Sequence, residues 1–209
     1  MPLRLHLPLW TFIALGALVT TQAHAQALTV DDIRAQIEAE RAAPNPYEEI
    51  LSDPDPLVAR RAMEIMLEQG SDEQRRIALD FGLHSPDPDL RHTALGAWLA
   101  SNPRMEFVLT NGGSPEGDFS RMVSFSYGTE PNSRGEAIWI TTLTGFDPGR
   151  ECYTNGRYCL FRHTVNGTWI NKGGRWQEVG LNDAGELAGT YRHGRGGTSA
   201  NVTFRVPPP

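Results

Sequence analysis

Pro54-Asp55-Pro56-Leu57-Val58-Ala59-Arg60-Arg61-Ala62 and Pro86-Asp87-Pro88-Asp89-Leu90-Arg91-His92-Thr93-Ala94 carry one pattern, set 32 residues apart. In each, an Asp precedes a Pro. The carboxylate can accept from the open amides of a helix's first turn, and Pro fills a position whose amide would have no partner. Val58, Ala62 and Met66 then recur at i, i+4 and i+8, as do Leu90, Ala94 and Trp98. That spacing draws one apolar stripe along each helix, and the small Ala at its centre lets a neighbouring helix come close.

The helical period extends outward from these segments over 29–102. Thr29, with Asp32 in the first turn, opens a helix over 30–43, and Asn45-Pro46 with Glu48 opens a second. The Asp55 helix stops at Gly70, Ser71 and Gln74 form a capping box for the next, and Asp87-Pro88 opens the last. Five short, tightly linked helices are expected.

The segments 55–62 and 87–94 resemble the HEAT-like family of helical repeats, in which an Asp-Pro turn precedes a Val-x-x-x-Ala helix. The likeness implies about two short repeats within an α-helical module over 26–103, and a scaffold role for it. A stack of two repeats leaves an apolar end that something must cover.

After Pro103 the period falls to two. Phe119, Val123, Phe125 and Tyr127 alternate with serines, predicting a strand over 119–127, and Ile138 and Ile140 alternate with Trp139 and Thr141. Similar segments stand at 105–110, 158–164, 167–171, 175–180, 186–193 and 199–206. Eight or nine short strands predict an antiparallel all-β sandwich or small barrel over 104–209, which would supply the cover. The fold class expected is α+β in two modules.

Residues 1–25 read as a signal peptide: Arg4 precedes an apolar run over 7–19, and Ala23-His24-Ala25 offers a small-x-small cleavage site after Ala25. No later run is long and apolar enough to span a bilayer. The expectation is a bacterial protein, periplasmic or extracellular, without stable membrane insertion. A net charge of −6, its acidic excess concentrated in the helical half, disfavours nucleic acid and anionic membrane as partners. The basic residues are 18 Arg and a single Lys, Lys172, a bias that fits GC-rich codons.

Cys152 and Cys159 flank Asn155-Gly156, the dipeptide favoured by a two-residue hairpin turn, and that register puts the two thiols opposite each other as a structural disulfide. Trp169 and Trp176 bracket Lys172-Gly173, and a hairpin centred there would set the indoles face to face across two strands. Together with Trp139 they form a candidate platform for a small ligand or glycan. Asp53, Asp55, Asp87 and Asp89 occupy equivalent turns of the two repeats and form a candidate acidic edge for a basic protein segment.

Metal and cofactor signals are missing from the spacing. His84, His92, His163 and His193 make no zinc array, and Gly112-Gly113-Ser114-Pro115-Glu116 fails the nucleophile elbow. Gly194-Arg195-Gly196-Gly197 precedes a strand rather than a helix, and Asn182-Asp183-Ala184-Gly185 reads as a turn. The function expected is therefore an exported, non-enzymatic binding or scaffold protein. A small-ligand or glycan binder is the alternative, and a hydrolase assembled from dispersed residues comes behind it.

Overall fold

Each helix of the first half begins where its capping residue stands. The computed structural model describes residues 28–42, 45–172, 174–195 and 198–207. Residues 1–25, read above as a signal peptide, and the expected cleavage site lie outside them, as do Gly173, Gly196 and Gly197. The chain divides into two compact units, 1–43 and 44–209. In the first, α1 (Val30–Ala42) is closed by Thr29, whose amide donates to Asp32 Oδ2 at 2.9 Å while the Asp32 amide donates to Thr29 Oγ1 at 3.2 Å.

The second unit opens with four helices: α2 (Pro46–Leu51), α3 (Pro56–Gln69), α4 (Asp72–His84) and α5 (Pro88–Ala100). Asn45, Asp55, Ser71 and Asp87 are their N-caps, and Ser71 with Gln74 completes the capping box. Ala62, Met63 and Met66 of α3 pack with Ile77 and Ala78 of α4 and Leu90 of α5, whereas Val58 stays 38% exposed. Gly82 sets the α4–α5 distance, since a Cβ there would lie 2.5 Å from Ala94 Cβ.

The rest of the unit holds β1 (Arg104–Asn111), α6 (Glu116–Tyr127), β2 (Ala137–Thr142), β3 (Gly145–Asp147), β4 (Cys152–Asn155), β5 (Tyr158–Thr164), β6 (Gly167–Lys172), β7 (Arg175–Leu181), β8 (Leu187–Arg195) and β9 (Thr198–Val206). The nine strands form one antiparallel sheet in the order β2-β1-β9-β8-β7-β6-β5-β4-β3. It curls into a half-barrel. Phe107 on β1 and Phe161 on β5 have four strands between them along the sheet, yet their rings stack at 6.2 Å. Asn155 beside one edge donates to Thr141 Oγ1 at 2.5 Å and Thr142 O at 3.0 Å on the other edge strand, so side chains seal a seam that no ladder closes. The result is neither a two-sheet sandwich nor a barrel closed by backbone pairing.

Leu83, Leu95, Trp98 and Leu99 from the helices share one core with Met105, Phe107, Leu109, Phe161, Ile170 and Phe204 from the sheet. The expected boundary at 103/104 runs through that core. Arg91 on α5 donates to Leu181 O at 2.6 Å and Asn182 O at 2.8 Å, and His84 meets Ala184 O at 3.0 Å, so polar contacts tie the same faces together.

Three local expectations differ from the structure. Residues 119–127 lie in α6, not in a strand, so the second half is not purely β. Phe119, Met122 and Val123 fall at i, i+3 and i+4 and enter the shared core together, and Gly128 ends the helix at φ 67°. The cysteine hairpin turns at Gly156-Arg157, with Asn155 opposite Tyr158 and Thr154 opposite Cys159. Gly156 alone takes positive φ (57°), which suits a turn with Gly in its first central place. The register shifts between Tyr153 and Thr154, and Cys152 and Cys159, no longer direct ladder partners, are bonded with Cα atoms 5.6 Å apart. In the tryptophan hairpin Lys172 pairs with Arg175, so Trp169 faces Glu178 and Trp176 faces Asn171. Gly174 at φ 78° accepts the turn, and Lys172 remains in the ladder.

Candidate functional site

Two sites arise from the two faces of β5, β6 and β7. Alternation sends Thr168, Ile170 and Lys172 of β6 inward and Trp169 and Asn171 outward, with Arg162 and Trp176 on the same outer face through their pairing.

The outer face carries an open groove of about 860 Å³ lined by Arg150, Glu151, Tyr158, Arg162, Asn171 and Trp176. The Arg162 guanidinium carbon lies 4.6 Å from the Trp176 ring centroid, and its Nη2 donates to Arg150 O at 3.2 Å. Its Nε is buried without an acceptor, and no carboxylate among the described residues lies within ion-pair distance of it. Arg150 is already engaged: its Nε donates to Asp147 Oδ2 at 2.7 Å and its Nη1 to Arg157 O at 3.0 Å. The Arg150 side-chain bond, followed by the Arg150 amide, holds the Asp147 carboxyl below the usual carboxylate range. The Cys152–Cys159 disulfide pins β4 to β5 at the groove, where Cys159 is part of the lining.

On the inner face Lys172 is 8% exposed, at the last ladder position of β6. Its Nζ lies 3.5 Å from the Trp139 centroid, 4.8 Å from that of Tyr127 and 5.9 Å from that of Phe107. Burial pulls its pKa from 10.5 down to about 7. Tyr127 OH and Tyr191 OH share a hydrogen bond at 2.7 Å, and burial raises the Tyr127 phenol to about 12 despite that bond. Ser126 Oγ lies 3.0 Å from His193 Nε2 beside them. An amine, two phenols, a hydroxyl and an imidazole thus gather where α6 ends against β2, β6 and β8.

The residues singled out in the sequence separate in space. Trp176 lines the groove, Trp169 lies back against Gly167, and Trp139 belongs to the inner cage around Lys172. Asp55 and Asp87 cap α3 and α5, and Asp53 Oδ1 accepts from the Asp55 amide at 2.8 Å. Arg60 on α3 reaches Asp87 Oδ2 at 3.2 Å and Asp89 Oδ2 at 3.6 Å, so the second acidic pair already faces a cation of α3. Among the described residues no group of three or more His, Cys, Asp or Glu is arranged to hold a metal, and no helix is long and apolar enough to cross a membrane.

Arg150, Arg162 and the Ser126–His193 pair escaped the sequence reading because only the sheet register brings them together. Lys172 left one signal, a lone lysine at an inward ladder position in a chain that otherwise uses arginine. Comparison with family models, with curated proteins and with solved structures returned no match.

Proposed function

We propose that this chain is an exported binding protein for a small acidic saccharide, held in the groove between Arg162 and Trp176. The observation that carries the reading is the Arg162 guanidinium stacked on Trp176 in an open groove, without a carboxylate partner among the described residues. A sugar acid offers what this pair lacks: a carboxylate for the guanidinium fork and a C–H face for an aromatic ring. Stacking on the indole fixes the plane of the guanidinium, so less side-chain freedom is lost when an anion binds. Glu151 on the rim repels anions, which favours a ligand with its charge at one end and neutral hydroxyls at the other. Export rests on the signal stretch over 1–25, and the Cys152–Cys159 bond fits an oxidising compartment.

The test is a thermal-shift comparison of trigalacturonate with the neutral trisaccharide maltotriose. The reading predicts a Tm rise with trigalacturonate alone, shrinking as salt is added. An equal response to both sugars, or none to either, overturns it.

A second reading, a scaffold built on HEAT-like repeats, has one observation in its favour. Ile50, Leu57 and Ile65 on α2 and α3 are 45%, 72% and 42% exposed, at the end of the helical layer away from the sheet. An apolar end of that kind suits a protein partner. A basic partner segment would have only Asp53 and Asp55 to itself, because Arg60 occupies the other pair.

A further inference from the structure

We propose that Lys172 is a carbonyl-capture site, at which the amine in its aromatic cage condenses with a short-chain aldehyde. The site is independent of the outer groove and lies on the opposite face of the sheet.

Geometry carries the argument. Nζ faces three aromatic rings and has neither a hydrogen-bond acceptor nor a carboxylate partner among the described residues, so nothing there holds it as an ammonium except ring faces. Buried lysines in apolar surroundings are the amines that proteins use as carbonyl nucleophiles. The groups that face it are consistent with this. Tyr127 stays a neutral phenol, and Arg175, opposite in the ladder, adds only positive charge, which disfavours a second cation. An arginine at this position could not deprotonate, whereas burial brings the Lys172 amine to about 7.

Lys172 is also the last ladder residue of β6, paired with Arg175 across the hairpin. The reaction balances without any further reagent. The nitrogen lone pair attacks the carbonyl carbon, the C=O π pair moves to oxygen, and the carbinolamine loses water to leave an imine. When protonated, that imine is again a cation over the Trp139 and Tyr127 rings, where cation–π attraction stabilises it.

The sequence makes the experiment clean, because Lys172 and the amino terminus are the only amines of the chain. The full exported chain, disulfide intact, is treated at pH 7 with acetaldehyde and cyanoborohydride, which fixes an imine as an ethyl group, and the modified residue is located by peptide mass. A parallel sample is treated in concentrated urea. The expected result is Lys172 ethylation in the folded protein at least about tenfold faster than in the unfolded one, where the amine has its ordinary basicity. Trp139→Leu, which opens the cage to water, should slow the folded rate toward the unfolded one. Labelling confined to the amino terminus, or Lys172 labelling faster after unfolding, overturns the proposal.

Discussion

The Lys172 amine stands 3.5 Å from the centroid of the Trp139 ring, and no acidic side chain among the described residues pairs with it. A cation–π contact offsets part of the cost of burying a charge, yet the folded pKa of about 7 remains well below the 10.5 of an exposed lysine. Between those values the unfolded chain binds more protons than the folded one. Stability from this group is therefore fully present above pH 10.5 and is lost as pH falls through 7. Urea unfolding should show wild type gaining stability from pH 7 to pH 9, as part of a full effect of roughly 3 to 5 kcal/mol. Lys172→Met, of similar length and without a charge, should lose most of that slope.

His163 gives a second pH signature, in a different window. Its ring stacks on His92 at 4.0 Å under α5, and burial first, with the neighbouring His92 second, lowers its pKa to about 4 from 6.5. A depressed folded pKa means that stability is present above pH 6.5 and falls away as pH drops toward 4. Between pH 7 and pH 5 the Tm of His163→Gln should fall less than that of wild type. Parallel pH profiles for the two proteins would contradict this account of the helix–sheet junction.

The disulfide closes a short loop, with 7 residues of sequence separation. Replacing both cysteines by serine should cost about 2 to 3 kcal/mol in urea unfolding, since a short loop restrains the unfolded chain only moderately. The same variant should weaken any groove ligand, because Cys159 is part of the groove wall.

Gly82 tests the helical layer. With Ala94 Cβ 2.5 Å from where its own Cβ would stand and Met63 Sδ 2.8 Å away, Gly82→Ala should destabilise despite alanine's better helix propensity. Overpacking of this kind costs about 1 to 3 kcal/mol. A stabilised variant would mean that α4 and α5 are not packed this closely.

The helical layer was legible because capping is local chemistry: Asn45, Asp55, Ser71 and Asp87 each act on amides two or three residues away. Most strands were legible for the same reason, through alternation within a single segment. Residues 119–127 were not, because Phe119, Val123, Phe125 and Tyr127 satisfy a period of two while Phe119, Met122 and Val123 satisfy the helix. Burial decided between them, leaving Phe125 65% exposed. Hairpin registers were displaced by one residue: Gly156, expected second in its turn, takes the first central place with positive φ, and Lys172, expected in its turn, pairs with Arg175 in the ladder. The sites were least legible, since Arg162 meets Trp176, and Lys172 meets Trp139, only after strands distant in sequence curl together.

The central claim is that Arg162 and Trp176 recognise an acidic sugar, and titration calorimetry with trigalacturonate tests it most directly. Wild type should bind, with an affinity that falls as salt is raised. Arg162→Gln should lose at least about tenfold, in keeping with one charge-assisted contact, and Trp176→Ala a comparable amount through loss of the stacking face. Lys172→Met, on the opposite face, should bind as wild type does. Binding that survives both groove substitutions, or that Lys172→Met abolishes in a folded protein, would contradict the account.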